Sequence, residues 1–143
     1  MIHLDTTFLV DVLRERRRNR VGSASAYLEA LPDNDVLGVS VHVLCELMAG
    51  VHAAGAPAGE RARISRLCET LIVRYPDERF AAEYGRLLAR IRASGTSIDT
   101  MDLLIATAAV LDRAPLVTRN ARHFSAVPGL ALTGGLALAC FAK

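Results

Sequence analysis

Short apolar runs alternate with amphipathic stretches along almost the whole of this chain. The runs that read as strands cover residues 2–4, 36–39, 72–75, 116–118 and 130–133. Apolar residues recur at the spacing of a helix between most of these runs, and strands alternating with helices are typical of a parallel sheet covered by helices. The pattern therefore predicts an α/β fold, a three-layer α/β/α sandwich around a mostly parallel sheet of about five strands.

Three helix boundaries follow from local signals. Gly50 is predicted to end the helix that begins at Val41. Pro76 and Asp77 are predicted to begin a long helix, because proline is favoured in the first turn. Asp99 or Thr100 is predicted to cap a buried helix over residues 101–113.

The chain has 143 residues, of which 52% are hydrophobic and 22% charged. This length fits a single domain, and this composition excludes global disorder. The apolar segment 134–143 is expected to pack as an added edge strand or in a subunit interface. No apolar run approaches the roughly 20 residues that a membrane-spanning helix needs, and the N-terminus resembles no secretion signal.

Cysteine content agrees with an intracellular protein. The three cysteines form an odd set without a CxxC pair. They are therefore expected to be buried free thiols in a reducing compartment, and the protein is expected to be soluble and cytoplasmic.

Positive charge is concentrated early in the chain. Five arginines lie between Arg14 and Arg20, whereas Lys143 is the only lysine. Guanidinium groups suit bidentate phosphate contacts, although a GC-rich genome would give the same bias toward arginine. The formal net charge of +2 is too small to establish a polyanionic partner.

Polar side chains stand at the ends of the predicted strands. Asp5 and Asn120 follow the first and fourth strands, Glu46 lies in the helix after the second, and Asp102 opens the helix before the fourth. The carboxyl ends of parallel strands share one edge, so these groups are expected to converge there. Converging carboxylates repel one another unless a cation neutralises them, and Mg²⁺ prefers such oxygen ligands.

Each of these residues also has a purely structural interpretation. Asp5 is a common type of helix N-cap, and Asp102 stands three residues after Asp99 in a capping-box-like arrangement. Glu46 forms a narrow polar seam that a solvated helix face would explain. Asn120 suits an Asx-turn. The four histidines show no metal-ligand spacing and are expected to be structural: His3, His42, His52 and His123.

Four segments carry these residues in chain order. They are Leu4-Asp5-Thr6-Thr7, residues 39–50 (VSVHVLCELMAG), residues 101–109 (MDLLIATAA), and residues 116–120 (LVTRN) followed by His123-Phe124. In these segments the chain closely resembles PIN-domain ribonucleases, specifically VapC-type toxins of bacterial toxin–antitoxin systems. The likeness runs from Ile2 to about Leu132. It departs at Asn120, where the family often has an acid, and at Thr7, where Asn or Ser is frequent.

The resemblance implies metal-dependent cleavage of RNA. Asp5 and Asp102 would hold Mg²⁺ or Mn²⁺, and Glu46 would ligate the ion or take a proton from the attacking water. The resemblance implies a supporting role for Thr6, Asp99, Thr118 and Asn120. It implies that flanking phosphates of the RNA are bound by Arg14, Arg17 and Arg119.

The resemblance also implies partners. Family members are typically homodimers neutralised by a VapB antitoxin, which covers the active site and itself binds operator DNA, so DNA would be reached only through the antitoxin. A non-catalytic PIN-like module that binds RNA or protein is the alternative. A phosphoacceptor domain fits poorly, because it needs a lysine late in the sheet.

Overall fold

The computed structural model describes residues 1–133 except residues 54 and 56. Within these residues the strands form one sheet in the order β3-β2-β1-β4-β5, and every neighbouring pair is parallel. The strands are β1 (Ile2–Leu4), β2 (Leu37–Ser40), β3 (Ile72–Arg74), β4 (Leu116–Val117) and β5 (Leu132–Thr133). The predicted parallel sheet of about five strands is confirmed. The apolar segment 134–143 lies outside the described residues.

Helices flank the sheet. They are α1 (Thr6–Arg17), α2 (Ser23–Glu29), α3 (Val41–Ala53), α4 (Pro57–Cys68), α5 (Phe80–Ala93), α6 (Thr100–Leu111) and α7 (Ala121–Phe124). His3 and Leu4 are 0% and 1% exposed. Successive residues of a strand point to opposite faces, so both faces of the sheet are covered at its centre, as the predicted three-layer sandwich requires.

Two of the three predicted helix boundaries are wrong. Helix α3 continues through Gly50 to Ala53. Glycine costs a helix about 1 kcal/mol, and burial of the next residue, Val51, offsets that cost. Helix α5 begins at Phe80, because the Asp77 carboxylate accepts the backbone N–H of Arg79 and holds a turn instead. Asp99 caps α6 as predicted, since its Oδ1 accepts the Met101 N–H at 2.9 Å.

The strand order places a crevice beside β1. The chain leaves β1 toward β2 on one side, whereas β4 pairs on the other side. Where connections diverge to opposite sides, a crevice opens at the carboxyl ends of the strands, and ligands of α/β sheets bind there. Asp5 and Thr118 directly follow the two strands that border it.

Helices α1 and α2 are joined by a side-chain cap. The Glu15 carboxylate of α1 accepts the backbone N–H groups of Ala24 at 3.1 Å and Ser25 at 2.8 Å. Burial would raise the pKa of Glu15, but these hydrogen bonds hold it below its ordinary value. A Cβ at Gly22 would lie 2.3 Å from Glu15 Oε1, so a larger residue there would move the Glu15 carboxylate. The contact fixes the start of α2 against α1.

The cysteines are less buried than predicted. Cys45 is exposed and Cys68 is half-buried, and both are free thiols. Cys45 lies on a part of α3 that faces away from the core residues Val43 and Leu47. Cys140 lies outside the described residues. In the described part of the chain, no helix combines the length and the apolar character needed to cross a membrane.

Candidate active site

Asp5 lies at the end of β1 and is only 3% exposed. It occupies the N-cap position of α1, yet its side chain caps no backbone N–H. Its Oδ2 instead accepts hydrogen bonds from the hydroxyls of Thr118 at 2.7 Å and Thr7 at 2.8 Å. The helix-cap interpretation therefore does not account for this carboxylate.

The two hydroxyls belong to a network that fixes Asp5. Thr118 Oγ1 accepts the backbone N–H of Asn120 at 2.9 Å, and Thr7 Oγ1 accepts that of Arg119 at 3.2 Å. Each hydroxyl therefore has its proton available for Asp5 Oδ2. Asp5 Oδ1 accepts no hydrogen bond within the described residues. One carboxylate oxygen is thus held in place, and the other is left available to a ligand.

Asp102 lies in the first turn of α6 and is 19% exposed at its side chain. Burial raises its pKa, and the carboxylates of Asp5 and Asp99 raise it further, whereas a hydrogen bond from His123 opposes the shift. His123 Nδ1 lies 3.1 Å from Asp102 Oδ2. The charge of Asp5 thus contributes to the raised pKa of Asp102, and the convergence of these acids at one edge stays a prediction from the topology.

Glu46 reaches the same edge from α3. The hydroxyl of Thr6, the residue next to Asp5, donates to Glu46 Oε1 at 2.6 Å. One turn earlier on α3, His42 stacks on Phe80 with ring centroids 5.5 Å apart, and burial lowers its pKa. The polar seam of α3 is therefore anchored to neighbouring elements and is more than a solvated face.

The donor set suits a hard divalent cation. Within the described residues, neither Asp5 nor Glu46 forms an ion pair with a basic side chain. A buried carboxylate without a positive partner is costly, and a bound cation removes that cost. No three acidic, histidine or cysteine side chains of the described residues lie close enough to hold a metal among themselves. Water or substrate oxygens would complete the coordination, as is usual for Mg²⁺.

The two remaining polar candidates support the site indirectly. Asn120 precedes α7, and its backbone N–H fixes Thr118 while its side chain makes no helix cap. Asp99 is committed to capping α6, so it acts on Asp102 through its charge. The structure thus gives Asn120 a contact to the Asp5 network and Asp99 an electrostatic effect.

A cavity of about 660 Å³ opens beside Glu46 between α1, α3 and α4. Its lining includes the predicted phosphate-binding residues Arg14 and Arg17. Arg17 Nη1 lies 3.5 Å from Glu60 Oε1 of α4. Arg119, the third predicted residue, pairs with Asp11 of α1 at 3.3 Å. The lining of the cavity combines apolar residues, Leu47 and Val51 among them, with arginines.

Sequence reasoning missed three participants in this site. In the sequence, Thr7 is only a departure from the family pattern, His123 has no metal-ligand spacing, and no motif marks Asp11. Thr7 binds Asp5, His123 binds Asp102, and Asp11 binds Arg119. The position of Thr7 two residues after Asp5 was a usable signal, whereas the other two contacts depend on tertiary packing.

Comparison with known proteins assigns this chain, with its parallel sheet and acids at the strand ends, to a family. Residues 2–130 match the PIN domain, and the chain belongs to the PIN domain family. It is 36% identical to Ribonuclease VapC19 of Mycobacterium tuberculosis over 127 residues, which cover 89% of this chain and 94% of that protein. The predicted VapC-type membership is confirmed.

Solved structures agree with this assignment. A structure of VapBC2 from Rickettsia felis bound to a promoter DNA fragment superposes with a TM-score of 0.84 and 28% identity, covering 94% of this chain and 98% of that chain. The structure of VapBC-1 from nontypeable Haemophilus influenzae has a TM-score of 0.80 and 27% identity, with the same coverage. Both are similar to this chain over nearly its full length.

Proposed function

We propose that this chain is the endoribonuclease toxin of a VapBC-type toxin–antitoxin system and depends on Mg²⁺ or Mn²⁺. The ribonuclease prediction agrees with the names of the curated relatives. PIN-domain ribonucleases generally depend on divalent metals. The observation that carries the proposal is the carboxylate of Asp5, which is 3% exposed and forms no ion pair with a basic side chain within the described residues.

The three acids divide two roles between them in the proposed reaction. Asp5 and Asp102 would hold the ion, and the hydroxyls of Thr7 and Thr118 keep Asp5 oriented. When bound, the ion acts as a Lewis acid that activates water and offsets charge on the phosphate. Glu46 would ligate the ion or accept a proton from the attacking water, and Thr6 fixes its carboxylate.

Arginines beside the acids supply substrate binding. Arg14, Arg17 and Arg119 flank the site on the side of α1, and their guanidinium groups bind RNA phosphates. The chain has 5% aromatic residues, so little base stacking is available and groove shape with polar contacts selects the RNA.

The proposal extends to partners and location. The two solved structures described above are of VapBC2 and VapBC-1, and the first is bound to a promoter DNA fragment. By analogy this chain pairs with a VapB-like antitoxin, forms a homodimer and meets DNA only through the antitoxin. A toxin that cleaves RNA would act in the cytoplasm, where its substrate lies.

Metal removal tests the proposal. Purified protein incubated with structured RNAs is expected to produce discrete fragments with Mn²⁺ or Mg²⁺. Chelation by EDTA is expected to stop cleavage, and excess Mn²⁺ is expected to restore it, because the acids cannot activate water without the ion. Denaturing gel electrophoresis measures the fragments. Tight RNA binding without fragments in any metal would contradict the proposal and favour a non-catalytic module.

A further inference from the structure

Two arginines from distant parts of the chain meet at one carboxylate. Arg14 Nη1 donates to Asp11 Oδ1 at 3.2 Å, and Arg119 Nε lies 3.3 Å from Asp11 Oδ2. Arg119 Nη1 also donates to the hydroxyl of Ser23 at 3.2 Å. Helix α1, the start of α2 and the loop after β4 therefore converge on this point.

This cluster borders the candidate active site. The backbone N–H of Arg119 donates to Thr7 Oγ1, and the Thr7 hydroxyl donates to Asp5. Arg14 lines the same cavity as Glu46. A chain of two hydrogen bonds thus connects Arg119 with the buried acid, and the Glu15 cap holds α2, which carries Ser23, against α1.

The cluster is open to a larger anion. The side chains of Arg14 and Arg119 are 50% and 44% exposed, so their ion pairs with Asp11 are weak. A guanidinium fork binds a phosphate through the same donors that bind a carboxylate. The Asp11 carboxylate thus occupies the place that a phosphate group would take between the two arginines.

We propose that Arg14, Arg119 and Ser23 form a binding site for an RNA phosphate and that Asp11 is a resident anion that this phosphate must displace. The inference rests on the proposed function, because it assumes that RNA approaches the acids of this edge. An RNA that makes only this contact gains little, since it replaces an existing ion pair. An RNA with further contacts outcompetes Asp11, so Asp11 lowers the affinity of every RNA that places a phosphate at this site.

Neutralising Asp11 tests the proposal directly. We expect Asp11→Asn to bind a fluorescein-labelled single-stranded RNA about three- to tenfold more tightly than the wild type. The slope of the logarithm of its affinity against the logarithm of salt concentration should change by less than about 0.7, the value for one phosphate contact, because this contact forms in both proteins once Asp11 is displaced. Fluorescence anisotropy with the full chain in EDTA measures both quantities without cleavage.

A matched variant separates this local effect from the general change in charge. Glu83→Gln removes a carboxylate that pairs with Arg86 three residues along α5, so it makes the same change in net charge. We expect it to change RNA affinity less than about twofold. In the Arg14→Gln/Arg119→Gln background, Asp11→Asn should have no larger effect than this control.

Two results would overturn the inference. In the first, the Asp11→Asn protein binds RNA no more tightly than Glu83→Gln. In the second, Asp11→Asn still increases the affinity for RNA when Arg14 and Arg119 are both replaced by Gln. Cleavage of RNA by the wild type in Mn²⁺ is measured in a separate experiment. Its absence would contradict the proposed nuclease, while the binding comparison would still decide the role of Asp11.

Discussion

Replacing Asp5 by Asn is expected to reduce RNA cleavage by at least about 10²- to 10³-fold, and Asp102→Asn is expected to do the same. Asparagine keeps the size of the side chain and an oxygen that accepts the Thr118 hydroxyl, but it removes the negative charge that holds a divalent ion. The fold should therefore persist while the site loses its cation. Initial rates of cleavage of a labelled RNA in Mn²⁺ measure the effect.

Asp33→Asn is the matched control for this prediction. Asp33 lies in an exposed turn, and its replacement makes the same chemical change far from the acids. It should cleave RNA at the wild-type rate, and all three variants should unfold in a single cooperative transition. Undiminished cleavage by both Asp5→Asn and Asp102→Asn would contradict the assignment of these acids.

Asp112→Ala is expected to destabilise the protein by about 2–4 kcal/mol. His3 is 0% exposed, and its Nε2 lies 2.7 Å from Asp112 Oδ2. His3 Nδ1 already lacks a hydrogen-bond partner in the described residues. Without Asp112 both ring nitrogens would be buried and unpaired. Arg74 also binds Asp112, but its side chain is 40% exposed and can be hydrated instead. Loss of the Arg74–Asp112 ion pair therefore adds little to the destabilisation.

Urea unfolding measures this loss, and Asp77→Ala is its control. Asp77 also pairs with an arginine, Arg79, and accepts its backbone N–H, but these contacts lie at the surface, so a clearly smaller loss of stability is expected than for Asp112→Ala. Equal free energies of unfolding for Asp112→Ala and Asp77→Ala would contradict the role given to the buried contact.

The same contact predicts how stability depends on pH. Burial lowers the pKa of His3 below its ordinary value of 6.5, although Asp112 partly opposes this. The unfolded chain then takes up a proton first, so stability falls as the pH drops from about 6.5 through the lower folded value. His3→Gln should lack this decline, and an unchanged profile in that variant would assign it to other groups.

The parallel sheet was predictable because it depends on periodicity. Apolar runs and helical spacing are properties of the chain itself, and they located β1 and the centre of α6 within a residue or two. Helix ends were less predictable, because they depend on local competition. Gly50 does not end α3 because Val51 is buried, and Pro76 does not begin α5 because Asp77 binds Arg79.

The acids of the site were predictable for a topological reason. Asp5 follows β1, and Asp102 opens the helix that returns to β4, so the topology predicts both at the same edge of the sheet. The side-chain contacts made around these acids were not predictable, because such contacts join residues that are distant in the sequence. Nothing in the local sequence of His123 or Asp11 indicates that one reaches Asp102 and the other Arg119.

Calorimetric titration with Mn²⁺ tests the central claim most directly, since it measures the cation that these acids are proposed to bind. The wild type should bind Mn²⁺, and Asp5→Asn and Asp102→Asn should each weaken binding more than about tenfold, whereas Asp33→Asn should leave it unchanged. Equal Mn²⁺ affinity in all four proteins, or no uptake by the wild type, would contradict a metal site at the edge formed by β1 and β4.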